Sequence, residues 1–351
     1  MSPAKSSIVE DEDGPLPARA NPDLQGHDAA EKSLLDAFNS GKLAHAWLLT
    51  GPKGIGKATL AYRFARHVLS TGDGEGGLFG DAAPVDSMYV SPDDPVFLRI
   101  SAGGHADLKV IERAYDEKRG KWRTEIVVDD VRSLGRFLSL TSAEGGWRVV
   151  VIDSADEMNR NAANAVLKVL EEPPKRALLL LVSHNPGRLL PTIRSRCRKL
   201  TLKPLAESAV VKLLLGENPE MPMSDAEELA RLSDGSIGRA LNLEQVGGLA
   251  LYHEMTAILE RLPVLDIGAV HALAGKLGKA GADDAFHTFT ELLTSWISKH
   301  IRDLSTRAAN GDLESWLQVW DKVNHLLERT DAVNLDRRQT LITIFTILET
   351  A

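Results

Sequence analysis

The stretch that most constrains the fold is residues 46–59. An apolar run over residues 46–49 predicts a short buried strand, and a helical pattern begins at Ala58. Between them lie glycines at positions 51, 54 and 56, followed by Lys57. Glycines allow a tight turn whose backbone N–H groups surround phosphates, and the helix N-terminus and the lysine add positive charge. The order strand, loop, helix therefore predicts a phosphate-binding loop in an α/β nucleotide-binding domain.

The residue after Lys57 departs from the pattern of an active site. In hydrolysing enzymes with this loop, a Ser or Thr hydroxyl holds the magnesium ion at that position. Here the residue is Ala58. Thr59 is one residue further along the helix, about 100° away around its axis, so it is not an automatic substitute.

A second departure follows the predicted strand at residues 149–152. That strand ends at Asp153, which suits the carboxylate of a magnesium site opposite the loop. A hydrolysing enzyme of this kind usually continues with Glu, the base that polarises the attacking water, but here Ser154 follows. Loss of such a base costs about 10²–10⁴-fold in rate. Glu157 lies in the expected turn and is predicted to aim elsewhere, so the pattern favours a nucleotide holder or a degenerate site over a motor.

Apolar runs elsewhere predict a parallel sheet with helices on both faces. Strands are expected at residues 126–128, 147–152, 177–182 and 199–202, and helices at 28–39, 131–140 and 161–170. Beyond Pro204 only helical patterns remain, first as three short helices at 206–215, 224–232 and 237–243, then continuously from about residue 248. We therefore expect an α/β domain over residues 23–204, a small helical lid over 205–245 and a helical domain over 246–351.

Composition excludes several classes of protein. The net charge of −8 argues against a strongly basic DNA-wrapping surface. No apolar run approaches the roughly 20 residues that span a bilayer. Residues 1–22 are polar and acidic with no apolar signal core, which predicts a disordered tail and a cytoplasmic protein.

The cysteine count limits metal binding. Cys197 is the single cysteine of the chain, which excludes an intrachain disulfide and a cysteine-rich zinc site. Residues 70–95 are rich in glycine and proline with little periodicity, so this segment is predicted to be a flexible surface insertion.

A cluster of arginines lies in residues 191–198. For Arg194 and Arg198, a solvated charged patch is an equally good interpretation. Arg196 differs because it stands between small residues just before the last predicted strand, where a guanidinium can point into a neighbouring subunit's phosphate site. An arginine finger supplied in this way is worth roughly 10³–10⁵ in rate.

Three segments together resemble one family. Gly-Pro-Lys-Gly-Ile-Gly-Lys at residues 51–57, the helix and Pro-Pro at 164–174, and Ser-Arg-Cys at 195–197 are similar to bacterial clamp-loader subunits of the AAA+ class. The greatest similarity is to the delta-prime subunits of DNA polymerase III. The resemblance runs from about residue 24 to the end, and includes 235–240, which is similar to the family's second sensor motif, and 334–336.

The resemblance implies both an architecture and a role. The fold would be a three-part AAA+ subunit whose C-terminal helices form a collar in a five-membered ring, with gamma/tau-like motor subunits and a delta-like subunit as partners. The assembly would load the sliding clamp on primed DNA during replication. The chain itself would be the stator, completing the ATP site of a neighbouring motor subunit while its own site is degenerate.

The resemblance also implies residue roles. Arg196 would be the finger, with Ser195 and Cys197 positioning it, and the first sensor would be Ser183 or His184. ATP or ADP would bind without hydrolysis. Many members hold zinc with four cysteines in the insertion, but this chain has none there, so no metal is expected. The expected nucleotide-binding residues are Gly51, Pro52, Gly54, Ile55, Gly56, Lys57, Ala58, Thr59, Asp153 and Arg239.

Two other functions remain open. The first is an active gamma/tau-like ATPase in which Thr59 and Glu157 replace the lost groups, although such a motor should carry Ser or Thr at 58 and Glu at 154. The second is an unrelated AAA+ chaperone or DNA-remodelling ATPase, which needs an acidic base. Because the net charge is negative, the lone chain is expected to bind DNA weakly.

Overall fold

The computed structural model describes residues 16–71, 85–116, 121–143, 146–306 and 310–350. The chain divides into two compact units. The first contains residues 1–217 and 234–238, and the second contains 218–233 and 239–351. The three-part division expected from the sequence stays a prediction. In the described part of the chain, no helix has the length and apolar character needed to cross a membrane.

The first unit is built on a parallel sheet. Its five strands lie in the order β2-β5-β6-β1-β7, and every neighbouring pair is parallel. Two further short strands, β3 and β4, form a separate antiparallel hairpin. The strands are β1 (Ala46–Thr50), β2 (Leu108–Ile111), β3 (Tyr115–Asp116), β4 (Lys121–Trp122), β5 (Arg148–Ile152), β6 (Ala177–Ser183) and β7 (Arg198–Thr201).

Helices cover both faces of this sheet, as predicted. Val149 and Val151 of β5 pack into one apolar layer, while Val150 and Ile152 pack into the other. The central strands are buried on both sides because each face carries helices. The helices of this unit are α1 (Asp28–Asn39), α2 (Lys57–Ser70), α3 (Pro95–Ser101), α4 (Val128–Val131), α5 (Ser133–Ser139), α6 (Arg160–Glu171), α7 (Pro191–Arg196) and α8 (Glu207–Glu217), with 3-10 turns at Ala155–Glu157 and Pro186–Arg188.

The second unit is helical throughout its described residues. Helices α12 and α15, α13 and α14, and α14 and α15 form its main packed pairs. Trp316 is buried, and the Trp296 ring lies 5.9 Å from it. The helices are α9 (Met223–Leu232), α10 (Ile237–Gln245, which begins in the first unit), α11 (Gly248–Leu259), α12 (Ile267–Leu277), α13 (Asp283–Thr306), α14 (Asn310–Val333) and α15 (Arg337–Glu349).

The strand predicted at residues 126–128 is wrong. Ile126 forms only an isolated bridge with Met158, and α4 begins at Val128. The Asp130 carboxylate accepts a hydrogen bond from the Val127 N–H, and acidic side chains in a first turn stabilise a helix start.

One edge strand of the sheet is β2, which was not predicted from the sequence. It mixes Lys109 with apolar residues, and most of it is only half-buried because it borders the sheet on one side. Helix α3 was also missed. Its start has clear local causes, since Asp94 accepts a hydrogen bond from the Val96 N–H and Pro95 occupies the first turn.

The tail predicted over residues 1–22 is too long. Residues 1–15 lie outside the described residues, but the segment after them is held against α2. The buried Arg66 donates hydrogen bonds to the carbonyl oxygens of Arg19 at 3.0 Å and Asn21 at 2.7 Å, and Arg63 donates to that of Pro22 at 2.6 Å. A buried guanidinium needs acceptors, and this segment supplies them. Of the predicted insertion at 70–95, residues 72–84 also lie outside the described residues.

A buried ion pair joins β2, α5 and β5. The carboxylate of Asp107 lies 3.4 Å from the guanidinium of Arg148, and both side chains are nearly inaccessible. Arg148 also donates hydrogen bonds to the carbonyl oxygens of Phe137 and Thr141, and its guanidinium lies over the Phe137 ring. The Asp107 carboxylate accepts from the Ala143 N–H at 3.0 Å. The ion pair therefore connects β2 and the loop after α5 to strand β5.

We expect Arg148→Ala to lower the free energy of unfolding of the first unit by about 3–5 kcal/mol, because it leaves a buried carboxylate unpaired. The control is Arg132→Ala, which removes a 2.6 Å pair with Asp129 whose side chains are 71% and 70% exposed. That change should cost less than about 1 kcal/mol. Urea titration followed by circular dichroism measures both, and equal losses would contradict the role of the buried pair.

Candidate nucleotide-binding site

The phosphate-binding loop lies where the sequence analysis placed it, between β1 and α2. Strand β1 is paired on both sides, with β6 and β7, so the loop leaves the carboxyl end of the central sheet. Gly51, with φ of 147°, needs to be glycine because an added Cβ would lie 2.6 Å from the Leu202 carbonyl oxygen. Gly56, with φ of 99°, forms the N-cap of α2.

Four successive carbonyl oxygens of the loop each accept a hydrogen bond. These hydrogen bonds fix the backbone of the loop, so its N–H groups are free to bind an anion. The donors are Lys57 Nζ to the Pro52 oxygen, Ser236 Oγ to the Lys53 oxygen at 2.8 Å, the Gly238 N–H to the Gly54 oxygen at 2.9 Å, and a contact of 2.6 Å between His27 Nε2 and the Ile55 oxygen.

The sequence analysis missed three of these supporting residues. His27 was not predicted to be part of the site, but its buried imidazole contacts the loop backbone. Ser236 and Gly238 lie in the segment similar to the second sensor motif, and they too hold the loop. The close approach requires Gly238, since an added Cβ would lie 3.0 Å from the Gly54 Cα. The similarity of residues 235–240 to the second sensor motif was the sequence signal for this position.

Lys57 is the first residue of α2 and its side chain is buried. Burial lowers the pKa of its ammonium to about 8, although the negative charges of Asp153 and Asp156 act in the opposite direction. Most molecules therefore keep the positive charge at neutral pH and lose it as the pH rises through about 8.

Asp153 follows β5, and its carboxylate interacts electrostatically with the ammonium of Lys57. Burial raises the pKa of its carboxyl, while a hydrogen bond from the Ser154 backbone and the charge of Lys57 act to lower it. Its own N–H donates to the Ile111 oxygen at 2.8 Å. The structure thus brings together the two halves of the predicted site, the loop lysine and the strand-end carboxylate.

Ser154 occupies the position where a hydrolysing enzyme of this kind has its acidic base. Its backbone is left-handed, with φ of 58°, which is uncommon for a residue with a side chain. Its hydroxyl lies 3.1 Å from the Nε2 atom of His184. Burial, together with the nearby charge of Lys57, lowers the pKa of His184 to about 4, so the imidazole is neutral at pH 7.

Two carboxylates near this position are already engaged. Asp156 accepts hydrogen bonds from the backbone N–H groups of His184 at 2.9 Å and Asn185 at 3.0 Å. Burial acts to raise its pKa, but these hydrogen bonds outweigh burial and hold it below its usual value. Glu157 lies in a 3-10 turn and forms a 2.9 Å ion pair with Arg113.

The residues present fit phosphate better than they fit a magnesium ion. The loop offers N–H groups and an ammonium, which are phosphate ligands, and Asp153 supplies a carboxylate for a metal. Ala58 has no hydroxyl to complete such a site, and Thr59 follows it on α2. The assignment of the first sensor to Ser183 or His184 stays a prediction.

The Ser-Arg-Cys segment ends α7. Arg196 is 37% exposed, and its guanidinium lies 2.8 Å from the Glu171 carboxylate and donates to the Thr192 carbonyl oxygen at 3.2 Å. Ser195 also donates to that oxygen, at 3.1 Å. Cys197 is buried, and burial raises the pKa of its thiol to about 12, so it serves as packing rather than as a nucleophile.

Arg239, the predicted residue of the second sensor, belongs to the second unit, so its role at the loop stays a prediction.

Comparison with known proteins identifies the family. A family model described as DNA polymerase III, delta subunit matches residues 26–206. The chain belongs to this family. It is 37% identical over 217 residues to the DNA polymerase III subunit delta' of Pseudomonas aeruginosa, a match covering 62% of this chain and 60% of that protein. It is 29% identical over 326 residues to the delta' subunit of Escherichia coli, covering 89% and 90%. The resemblance to delta-prime subunits is therefore confirmed.

Solved structures are similar as well. One of them is a DNA polymerase III gamma subunit-related protein from Thermotoga maritima, with 20% identity and a TM-score of 0.47 over 90% of this chain and 98% of that one.

We expect the imidazole of His184 to stay neutral down to about pH 5, because burial lowers its pKa to about 4. Its folded pKa lies below the unfolded value of about 6.5. The unfolded state therefore binds more protons between the two values, and His184 reduces stability as the pH falls from 6.5 to 4. NMR titration of the imidazole signals measures the pKa, and the His184→Gln variant identifies which signals belong to His184. A titration midpoint near 6.5 would contradict the effect of burial.

Proposed function

We propose that the chain is a clamp-loader subunit of DNA polymerase III that acts as a stator. In this proposal Arg196 enters the ATP site of a neighbouring motor subunit, while the chain's own loop holds ATP or ADP without efficient hydrolysis. The observation that carries the proposal is the pairing of Ser154 with a neutral imidazole where an acidic base belongs.

The chain's own nucleotide site is a poor hydrolase in this proposal because four candidate bases at and beside position 154 are weak or engaged. Ser154 has a neutral hydroxyl, and an imidazole with a pKa of about 4 takes a proton from water poorly at pH 7. Asp156 is held by two backbone N–H groups, and Glu157 by Arg113. The gamma/tau-like alternative needs Glu157 to leave this ion pair and Thr59 to replace the missing hydroxyl.

The finger role rests on the position of Arg196. Its guanidinium is partly exposed at the end of a helix, with Cys197 buried beside it as an anchor. Its ion pair with Glu171 involves side chains 37% and 50% exposed, so it is worth little in free energy. A neighbour's phosphate carries more negative charge than Glu171 and can compete for the guanidinium.

The partners in this proposal are gamma/tau-like motor subunits and a delta-like subunit in a five-membered ring, with the sliding clamp and primed DNA bound by the assembly. Family membership and the relatives named delta' support it.

We expect Arg196→Ala to reduce DNA-stimulated ATPase of a loader reconstituted with its cognate subunits. Hydrolysis at the neighbouring ATP site that Arg196 enters should slow by roughly 10³–10⁵-fold. Total ATP turnover should therefore fall by the fraction that this site contributes. Lys57→Ala should change turnover little. The matched control is Arg194→Ala, an exposed arginine on the same helix. A larger loss in Lys57→Ala than in Arg196→Ala would favour the motor alternative.

We expect the affinity of the isolated chain for a fluorescent ATP analogue to fall as the pH rises from about 7 to about 9, because Lys57 loses its proton through about pH 8. Bound phosphate stabilises the ammonium, so binding in this range is linked to proton uptake. Lys57→Arg keeps its charge and should remove this pH dependence even if binding weakens. Absence of binding at pH 7 would overturn the nucleotide-holding part of the proposal.

A further inference from the structure

The hairpin of β3 and β4 follows the edge strand β2 in the chain and has no part in the proposed ATP chemistry. Tyr115 pairs with Trp122 and Asp116 with Lys121, and the Arg123 N–H donates to the Ala114 oxygen at 2.9 Å. The connection between the strands, residues 117–120, lies outside the described residues. An isolated two-stranded hairpin contributes little core, so its side chains are available for another purpose.

Two large aromatic side chains share one face of this hairpin. The rings of Tyr115 and Trp122 lie 5.5 Å apart in an edge-to-face arrangement. Such a cross-strand pair stabilises a hairpin, but it does not require the rings to face water. Here they are 49% and 48% exposed. Adjacent rings exposed to this extent offer a surface on which planar groups can stack.

The stretch of sequence that contains Tyr115 and Trp122 is rich in basic residues. Residues 109–123 contain six Lys or Arg and three Asp or Glu, in a chain whose net charge is −8. Arg123 is exposed and forms no ion pair with any described residue, while Arg113, two residues before Tyr115, pairs with Glu157. A local excess of cations beside exposed aromatic rings complements a polyanion that carries flat, stackable groups.

We propose that this hairpin binds single-stranded nucleic acid, with bases stacking on Tyr115 and Trp122 and Arg123 contacting phosphate. A single strand fits better than a duplex, because bases inside a duplex stack on each other and do not expose their faces. The lone chain has few such contacts, so binding is weak and is strongest at low salt. This site is independent of the nucleotide loop and of Arg196.

The test uses the full chain and a fluorescently labelled oligothymidylate in an anisotropy titration at about 50 mM salt. Trp122→Ala and Tyr115→Ala are each expected to weaken binding roughly 5- to 150-fold, the range expected for one stacked base. The matched control is Tyr89→Ala, which removes a tyrosine of similar exposure, 51%, outside the hairpin and should leave binding unchanged. Arg123→Gln should weaken binding and reduce the slope of log affinity against log salt by about one.

Trp122→Phe separates stacking from folding of the hairpin. It keeps an aromatic ring, so it should retain most of the affinity but lose the quenching of tryptophan fluorescence that the oligonucleotide causes. An unlabelled single strand should compete, and a duplex of the same length should compete poorly.

Three results would overturn the proposal. These are no binding at low salt, equal affinity in Trp122→Ala and wild type, or equal competition by duplex and single strand. Any of them would leave the aromatic pair as hairpin packing or as a contact for a protein.

Discussion

The functional region depends on the hydrogen bonds that occupy the carbonyl oxygens of the phosphate loop. Those oxygens accept hydrogen bonds from groups far apart in the sequence, among them His27 before α1 and Ser236 in the segment between α9 and α10. With its carbonyls engaged, the loop is shaped for an anion before any ligand arrives. Preorganisation of this kind favours binding, because the loop does not have to be ordered when the ligand enters.

In the proposed stator role, the same region holds a nucleotide and does not cleave it efficiently. Binding of phosphate requires N–H groups and the charge of Lys57, whereas hydrolysis also requires a magnesium ligand and a base. Ala58 removes the hydroxyl, and Ser154 faces the neutral imidazole of His184. These losses leave the interactions that bind the ground state and remove those that stabilise the transition state. These features support the proposal that the loop holds a nucleotide without consuming it.

The local charge around the β3–β4 hairpin differs in sign from the charge of the whole chain. The chain is acidic as a whole, yet the segment around the β3–β4 hairpin is basic and carries exposed Tyr115 and Trp122. Exposed charges are screened by salt beyond about 10 Å, so a partner responds to the local patch more than to the total.

The sequence by itself determined four of the five strands of the sheet, most helices and the loop between β1 and α2, because periodic apolar residues and glycines at required turns act locally. It also located Lys57, Asp153 and Ser154. Only the tertiary structure decided that β2 is an edge strand, since half-buried edge residues give a weak pattern. It alone placed His184 against Ser154 and Ser236 against the loop, because such contacts join residues that are distant along the chain and leave no local signal.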